Sequence, residues 1–128
     1  MERVIIETNV VPKPIGPYSQ AVVCGGTAYL SMQLPIDPDT GLMVEGAIED
    51  QARRALENLR ELLYASGSGL SGVLKVMVYF ADLADFDRVN RVYSEFFGDS
   101  KPARAAIQAA ALPRGARIGF DAIAAVKG

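Results

Sequence analysis

Residues 73–80 read Val-Leu-Lys-Val-Met-Val-Tyr-Phe and form a nearly continuous apolar run. Helical periodicity of apolar residues precedes this run, over about 48–65, and a second helical pattern follows it, over about 85–97. An apolar run of this kind between two helices is typical of a strand that is buried on both faces of a sheet. The sequence therefore predicts a central strand over 73–80, and the other elements are assigned around it.

Five further strands are predicted on either side of the two helices. Residues 3–7 are rich in β-branched side chains and predict an edge strand. Residues 21–24 and 27–34 flank Gly25-Gly26, which is a strong hairpin signal. Residues 103–112 and 116–126 predict the last two strands, on either side of Pro113-Arg114-Gly115. The predicted order is β-β-β-α-β-α-β-β.

Two helices cannot cover both faces of a six-stranded sheet. We therefore expect an α+β fold in which both helices pack on one face of a mixed sheet. The other face would be left bare, and the alanine-rich last strands carry few charges that could solvate it. We expect this face to be covered by further copies of the chain in a closed homo-oligomer.

The length, the net charge and the cysteine content limit which classes of protein this chain can belong to. The chain has 128 residues and a net charge of −2, which fits one domain and disfavours a general nucleic-acid binder, whose surface is normally basic. Cys24 is the single cysteine, so no disulfide can form within the chain. No apolar run reaches the length of a membrane span. A cytoplasmic protein is expected.

Histidine is absent from the sequence. This excludes Ser-His-Asp and Cys-His nucleophile systems and every other acid/base scheme that uses imidazole. With one cysteine and no histidine, a zinc site is not expected either. Chemistry in this chain must use arginine, carboxylates, tyrosine, serine, backbone groups and water.

Arg104 follows Pro102-Ala103 and enters a run of small and apolar residues. Its planar guanidinium can bind a carboxylate in a bidentate way. Two interpretations are open. Asp121 lies between Phe120 and Ala122 in an apolar strand and can be the partner of Arg104 in a structural ion pair; alternatively, Arg104 binds an acidic ligand.

Three other polar positions have ordinary interpretations when they are taken singly. Tyr18 stands in a Gly-Pro-Tyr-Ser turn, where it can be an aromatic anchor. Ser31 can satisfy the backbone at a strand edge, and Asn90 can be an exposed helix residue or can tie down a neighbouring loop.

Taken together, these positions resemble a known family over essentially the whole chain. The matching blocks are Ile15-Gly16-Pro17-Tyr18-Ser19-Gln20, Leu30-Ser31-Met32-Gln33-Leu34-Pro35, Asp37-Pro38-Asp39-Thr40-Gly41, Ala55-Leu56-Glu57-Asn58-Leu59, Val73-Leu74-Lys75-Val76, Asp85-Phe86 to Val89-Asn90 with Tyr93 and Phe96-Phe97, Pro102-Ala103-Arg104, and Ile118 to Ala122-Ile123-Ala124. In this order they resemble the RidA/YjgF family of reactive-intermediate imine deaminases, also called the L-PSP or endoribonuclease-like family.

The resemblance implies a single RidA/YjgF-like domain over 1–128, with a chorismate-mutase-like fold. It implies a homotrimer whose ligand sites lie in clefts between subunits. The implied reaction is hydrolysis of 2-imino and enamine acids, which pyridoxal-phosphate-dependent dehydratases release, to 2-oxo acids and ammonia. No metal or organic cofactor is implied, and the expected partner is a small 2-imino or 2-oxo acid.

The resemblance also implies roles for individual residues. Arg104 would clamp the substrate carboxylate, and Asp121, where the family has glutamate, would orient a water molecule. The implied substrate-binding residues are Tyr18, Ser31, Met32, Asn90, Arg104 and Ala106. Two of these depart from the family pattern, because Met32 replaces a glycine whose backbone N–H meets the ligand and Ala106 replaces a frequent cysteine.

Two alternative functions are weighed against the enzyme. The first is a non-catalytic trimer that binds small carboxylates, in which Met32 and Asp121 have removed turnover. The second is an endoribonuclease or translation inhibitor. It is disfavoured because the chain is acidic overall and has no histidine for acid/base work on a phosphodiester.

Overall fold

The computed structural model describes residues 1–127 and contains one six-stranded mixed sheet with two α-helices. In chain order the elements are β1 (Arg3–Ile6), β2 (Ala21–Cys24), β3 (Thr27–Gln33), α1 (Ile48–Ala65), β4 (Val73–Phe80), α2 (Phe86–Phe97), β5 (Ala103–Gln108) and β6 (Ile118–Ala125). The α+β class and the order of the elements confirm the sequence prediction. The last two strands are shorter than predicted, because β5 ends at Gln108 and β6 begins only at Ile118.

The strands lie in the order β1-β2-β3-β6-β4-β5. β4 and β5 run parallel, and the other neighbouring pairs run antiparallel. β6 thus enters the sheet between β3 and β4. As a result β5 and β6 follow one another in sequence but are not neighbours in the sheet, and β5 forms an edge.

Both helices pack on one face of the sheet. α1 places its apolar residues at helical spacing toward β6 and β3, where Phe120, Ala122 and Ala28 are buried beneath it. Asp82 caps the short 3₁₀ turn before α2, where its carboxylate accepts the N–H of Ala84 at 2.9 Å. In the described part of the chain, neither helix has the length and apolar character that a bilayer crossing requires.

The opposite face of the sheet carries no helix within residues 1–127. The prediction that 73–80 is buried on both faces is therefore wrong for the single chain: on this face Lys75 is exposed, and Met77 and Tyr79 are only half-buried. The physical reason is that one helical layer covers one face only. Large apolar side chains remain exposed there: Ile5, Tyr29 and Ile107. We call this surface the bare face.

Asn58 fixes the segment that leaves β3. Its side chain is fully buried in α1, and its Nδ2 donates to the carbonyl oxygens of Leu34 (3.0 Å) and Ile36 (2.8 Å). The residues next to the end of β3 are thereby attached to the helical layer.

Replacing Asn58 with alanine is expected to lower the free energy of unfolding by about 2–4 kcal/mol, because the buried carbonyl oxygen of Ile36 loses its donor and that of Leu34 keeps only the N–H of Ile36. Urea denaturation measures this change. Asn9→Ala is the matched control: Asn9 is exposed, and its replacement should shift stability by less than about 0.5 kcal/mol. A loss below about 1 kcal/mol for Asn58→Ala would contradict the assigned role.

Candidate active site

Arg104 lies on β5 and reaches over α2. Its register partner is Val76 of β4, which points to the helices, so Arg104 lies on the helix-covered face at the edge of the sheet. The guanidinium carbon sits 4.8 Å from the ring centre of Tyr93 and 5.5 Å from that of Phe86. Nη1 donates to Asn90 Oδ1 at 2.7 Å. Cation–π contacts and one hydrogen bond therefore hold the arginine in place.

The three residues that hold Arg104 come from one face of α2. Phe86, Asn90 and Tyr93 stand at positions i, i+4 and i+7, which share a helix face. Asn90 was predicted as a pocket residue, and the structure brings it into contact with Arg104. Phe86 and Tyr93 were not among the predicted site residues. Their spacing on the face of Asn90 was the signal that could have linked them to the arginine.

A cavity of about 310 Å³ opens beside the guanidinium. Arg104 and Lys101 bring two positive charges to it, and Lys101 stands in the left-handed backbone region with φ 40°. No carboxylate of residues 1–127 lies within ion-pair distance of Arg104. A guanidinium has five N–H donors, and one of them serves Asn90. An anionic ligand can therefore use the others. We call this cluster the arginine half-site.

Of the two interpretations of Arg104, the ion pair with Asp121 is not formed within the single chain. β4 separates β5 from β6, and Asp121 is the register partner of Met77 on the bare face. Side chains alternate along a strand, so Arg104, beside Val76, projects from the opposite face. Asp121 Oδ2 instead accepts the hydroxyl of Tyr79 at 2.7 Å.

The pKa values of Tyr79 and Asp121 are both raised above their ordinary values. Burial raises the pKa of the Asp121 carboxyl, against the lowering effect of the Tyr79 hydrogen bond and of the positive charge on Lys75. Burial, together with the carboxylate of Asp121, raises the pKa of Tyr79 to about 12. Tyr79 therefore stays protonated near neutral pH and remains a hydrogen-bond donor.

Replacing Tyr79 with phenylalanine is expected to raise the pKa of Asp121 further, because the carboxylate loses the donor that favours its charged form. A raised pKa means that the folded chain holds a proton that the unfolded chain releases. The contribution of Asp121 to stability therefore falls as pH rises from the ordinary carboxyl range through the raised pKa, and Tyr79→Phe extends this fall to higher pH.

NMR titration of the Asp121 side-chain carboxyl carbon measures this pKa in both proteins. Tyr64→Phe is the control, because Tyr64 is an exposed tyrosine. An unchanged or lower pKa of Asp121 in Tyr79→Phe would show that the hydrogen bond does not stabilise the carboxylate.

A second group of predicted residues gathers around the bend between Leu30 and Gln33, where the pairing of β3 with β6 shifts register. Ser31 Oγ donates to the carbonyl oxygen of Ser19 at 2.7 Å and thus joins β3 to the loop before β2. Tyr18 lies in that loop, and its hydroxyl accepts the N–H of Ile15 at 3.3 Å. An open cavity of about 270 Å³ is lined by Ile15, Tyr18, Ser31, Met32, Leu34 and Pro113. We call this region the apolar half-site.

Gln20 supports the same loop, a role that was not predicted from the sequence. Its buried side chain accepts the N–H of Thr8 at 2.8 Å and donates to the carbonyl oxygens of Thr8 (3.1 Å) and Pro12 (3.0 Å). These bonds fix the segment that carries Tyr18. The signal in the sequence was a glutamine between a proline-rich segment and the apolar run 21–24, where a polar side chain needs hydrogen-bond partners once it is buried.

Met32 packs over the backbone of β6 at Gly119. A Cβ atom built on Gly119 would lie 2.7 Å from Met32 Sδ and 3.0 Å from its Cγ, closer than atoms in contact allow. Met32 also packs against the small buried cluster that contains Leu34 and Ile36. The β6 residue that faces Met32 is thus Gly119, and Asp121 lies two residues further along the same face.

The structure groups the predicted residues into two separate places. Asn90, Arg104 and Ala106 lie together on the helix-covered face, where Ala106 packs against the main core. Tyr18, Ser31 and Met32 lie together at the other place. β3 and β5 are three strand steps apart, roughly 14 Å. The two half-sites of one chain therefore do not form a common pocket.

Within residues 1–127, no three carboxylate or cysteine side chains come together as metal ligands would. The polar groups still available to a ligand are the free N–H groups of Arg104, the amide of Asn90, the O–H of Tyr18 as a donor and Ser31 Oγ as an acceptor. This set suits recognition of a small anion with an apolar body.

Comparisons with known proteins identify the family of this chain. The family model described as Endoribonuclease L-PSP matches residues 8–126. A RutC family protein of Pyrococcus abyssi is 48% identical over 124 residues, which cover 97% of this chain and 98% of that protein. The 2-iminobutanoate/2-iminopropanoate deaminase of Mus musculus is 48% identical over 122 residues, which cover 95% of this chain and 90% of that enzyme.

A solved structure gives the same result for the fold. The crystal structure of a protein of Thermotoga maritima, described as a putative endoribonuclease, superposes with a TM-score of 0.95 at 48% identity and covers both chains completely. The motifs, the six-stranded sheet and these matches agree over nearly the whole sequence. The chain belongs to the endoribonuclease L-PSP family, which is the RidA/YjgF family that its motifs resemble.

Proposed function

We propose that the protein is a 2-imino acid deaminase that works as a homotrimer, with each active site in a cleft between two subunits. One subunit supplies the arginine half-site and the other supplies the apolar half-site. Support comes from the separation of the two half-sites on one chain and from the apolar side chains exposed on the bare face. A deaminase of this type is among the relatives that are 48% identical.

The observation that carries the proposal is that the side chain of Arg104 is held in a fixed position and is exposed. α2 fixes its guanidinium through Asn90, Phe86 and Tyr93, and the side chain is exposed beside a cavity. A 2-imino acid carries a carboxylate next to the reacting carbon. Bidentate binding of that carboxylate by Arg104 would hold the imine carbon at a fixed distance and orientation.

The reaction needs few protein groups. The carbon of a protonated imine is already electrophilic, and water adds to it to form a C–O bond. The C–N bond then breaks, nitrogen leaves as ammonium after taking protons from the added water, and a 2-oxo acid remains. The protein has to orient the water and transfer a proton, which one carboxylate can do.

Asp121 is the carboxylate that we assign to this role. It lies on the same face as Ser31 and Gly119, and burial keeps its pKa raised, which suits a group that accepts a proton from water. Its hydrogen bond from Tyr79 fixes the carboxylate. Tyr18 and Ser31 would contact the substrate from the same subunit, and Met32 would border it.

Addition of the protein to a threonine dehydratase reaction is expected to accelerate ammonia release, because the dehydratase product is an imine whose hydrolysis then becomes catalysed. The measurement is the initial rate of ammonia formation at fixed dehydratase, with increasing amounts of this protein. No acceleration by a correctly assembled oligomer, with threonine or serine as substrate, would refute the proposed activity.

A second candidate is a trimer that binds small carboxylates without turnover. It is favoured by one observation: the β6 residue that faces Met32 is glycine, so the nearest part of this strand brings no carboxylate to the apolar half-site. Calorimetric binding of 2-oxobutyrate without any ammonia release would establish this function instead. Ribonuclease activity, which the family name suggests, is not proposed, because the chain contains no histidine for acid/base catalysis.

A further inference from the structure

The side chain of Met32 packs closely over Gly119 at the wall of the apolar half-site. The thioether of Met32 occupies the space that any side chain at position 119 would need. Glycine on β6 thus permits the position that Met32 adopts. Met32 is half-buried and lines the cavity, so one side of its chain packs on β6 while the other faces the opening.

The cavity that Met32 lines is apolar in its chemistry. Four of its six lining residues, Ile15, Met32, Leu34 and Pro113, have no polar side-chain atom that makes strong hydrogen bonds. The hydroxyl proton of Ser31 is committed to the carbonyl oxygen of Ser19 at 2.7 Å. The hydroxyl of Tyr18 already accepts an N–H from Ile15. A polar substrate group placed here would lose its water and gain few partners.

We propose that this cavity is the side-chain subsite of the deaminase and that the Met32–Gly119 pair selects 2-imino acids with apolar side chains over those with hydroxyl or charged side chains. This inference rests on the proposed function, in which the carboxylate of the substrate binds Arg104 of the adjacent subunit. The apolar half-site cannot replace the water around a carboxylate, so it takes the other end of the substrate. Its volume of about 270 Å³ accommodates a branched aliphatic chain.

The test uses two stable 2-oxo acids that share the carboxylate and the carbonyl group and differ in the side chain. These are 2-oxo-4-methylpentanoate, with a branched apolar chain, and hydroxypyruvate, with a hydroxymethyl group. Isothermal titration calorimetry gives the Kd of each ligand. Each methylene that the subsite buries should tighten binding about fourfold, so the wild-type protein is expected to prefer the branched ligand by at least about tenfold.

Met32→Gln keeps the length of the side chain and replaces the thioether with an amide. It is expected to reduce the preference to about threefold or less. Gly119→Ala moves Met32 from its position, because the new Cβ occupies the place of Sδ, and should also reduce the preference. Met43→Gln is the matched control, because Met43 packs in the same small cluster but does not line the cavity. The Met43→Gln protein should therefore prefer the branched ligand as strongly as the wild type does.

The possible results separate the subsite from the function on which it rests. Equal binding of both ligands by the wild type, or an unchanged preference in Met32→Gln, would overturn the subsite and leave the carboxylate site standing. Binding of neither ligand would overturn the carboxylate site and the subsite together. Turnover is decided independently by the ammonia assay.

Discussion

Replacing Arg104 with alanine is expected to lower the kcat/KM of the proposed imine hydrolysis by roughly a hundredfold to ten-thousandfold. The variant removes two charge-assisted hydrogen bonds to the substrate carboxylate, each worth about 1.5–3 kcal/mol. Arg104→Lys keeps the charge but not the planar fork, and it should recover only a small part of the activity. Steady-state ammonia release with each variant measures the loss.

Stability provides the necessary control for this variant. Arg104 is exposed and bonds to the neutral side chain of Asn90, so Arg104→Ala should change the free energy of unfolding by less than about 1.5 kcal/mol. Arg53→Ala is the matched variant: it also removes an exposed arginine from the helical side of the molecule, where Arg53 pairs with Glu95, and it should leave activity unchanged. Retention of full activity by Arg104→Ala would refute the carboxylate clamp.

Ile107→Arg is expected to dissociate the proposed homotrimer and, as a consequence, to abolish the proposed activity. Ile107 lies on the edge strand β5, on the bare face, and 47% of its surface is exposed in the single chain. If this face is covered by another subunit, a guanidinium at position 107 is buried without a partner, which costs several kcal/mol. The two half-sites are then no longer brought together. Sedimentation velocity measures the mass of the assembly.

Leu42→Arg is the control for this experiment. Leu42 is also an exposed apolar residue, at 65%, but it lies in the turn between β3 and α1 and outside the sheet. Its replacement should leave both the mass and the activity unchanged. An Ile107→Arg protein that remains trimeric would show that the bare face around β5 is not the subunit interface.

The sequence predicted the elements and the covered face because those depend on local periodicity. α1 and α2 have apolar stripes at helical spacing, and the hairpin of β2 and β3 is marked by Gly25-Gly26. The helices had to share one face because there are only two of them for six strands. These conclusions need no knowledge of which strands are neighbours.

The relation between Arg104 and Asp121 could not be predicted in this way, because it depends on the strand order. β6 follows β5 in sequence but pairs with β3 and β4, and this pairing is set by long-range contacts. β5 shows almost no polar–apolar alternation, because Arg104 is flanked by Ala103, Ala105 and Ala106. The neighbouring residues therefore did not indicate on which face of the sheet Arg104 lies.

The periodicity of the sequence also could not predict which face of the sheet the Met32 side chain lies on. The register of β3 shifts between Leu30 and Gln33, and at such a point the alternation of faces is broken. The contact with Gly119, almost ninety residues later in the chain, becomes visible only when β3 and β6 are paired.

Subunit mixing tests most directly the claim that two subunits build each active site. Arg104→Ala and Tyr18→Ala chains are each expected to be inactive alone, the first without the carboxylate clamp and the second without an aromatic wall of the apolar half-site. The two proteins are unfolded together in equal amounts, refolded and assayed for ammonia release. Random assembly should give intact clefts, with Arg104 from one chain and Tyr18 from the other, at about a quarter of all sites. Recovery of about a quarter of the wild-type activity is the predicted result, and a mixture no more active than either variant alone would contradict the shared site.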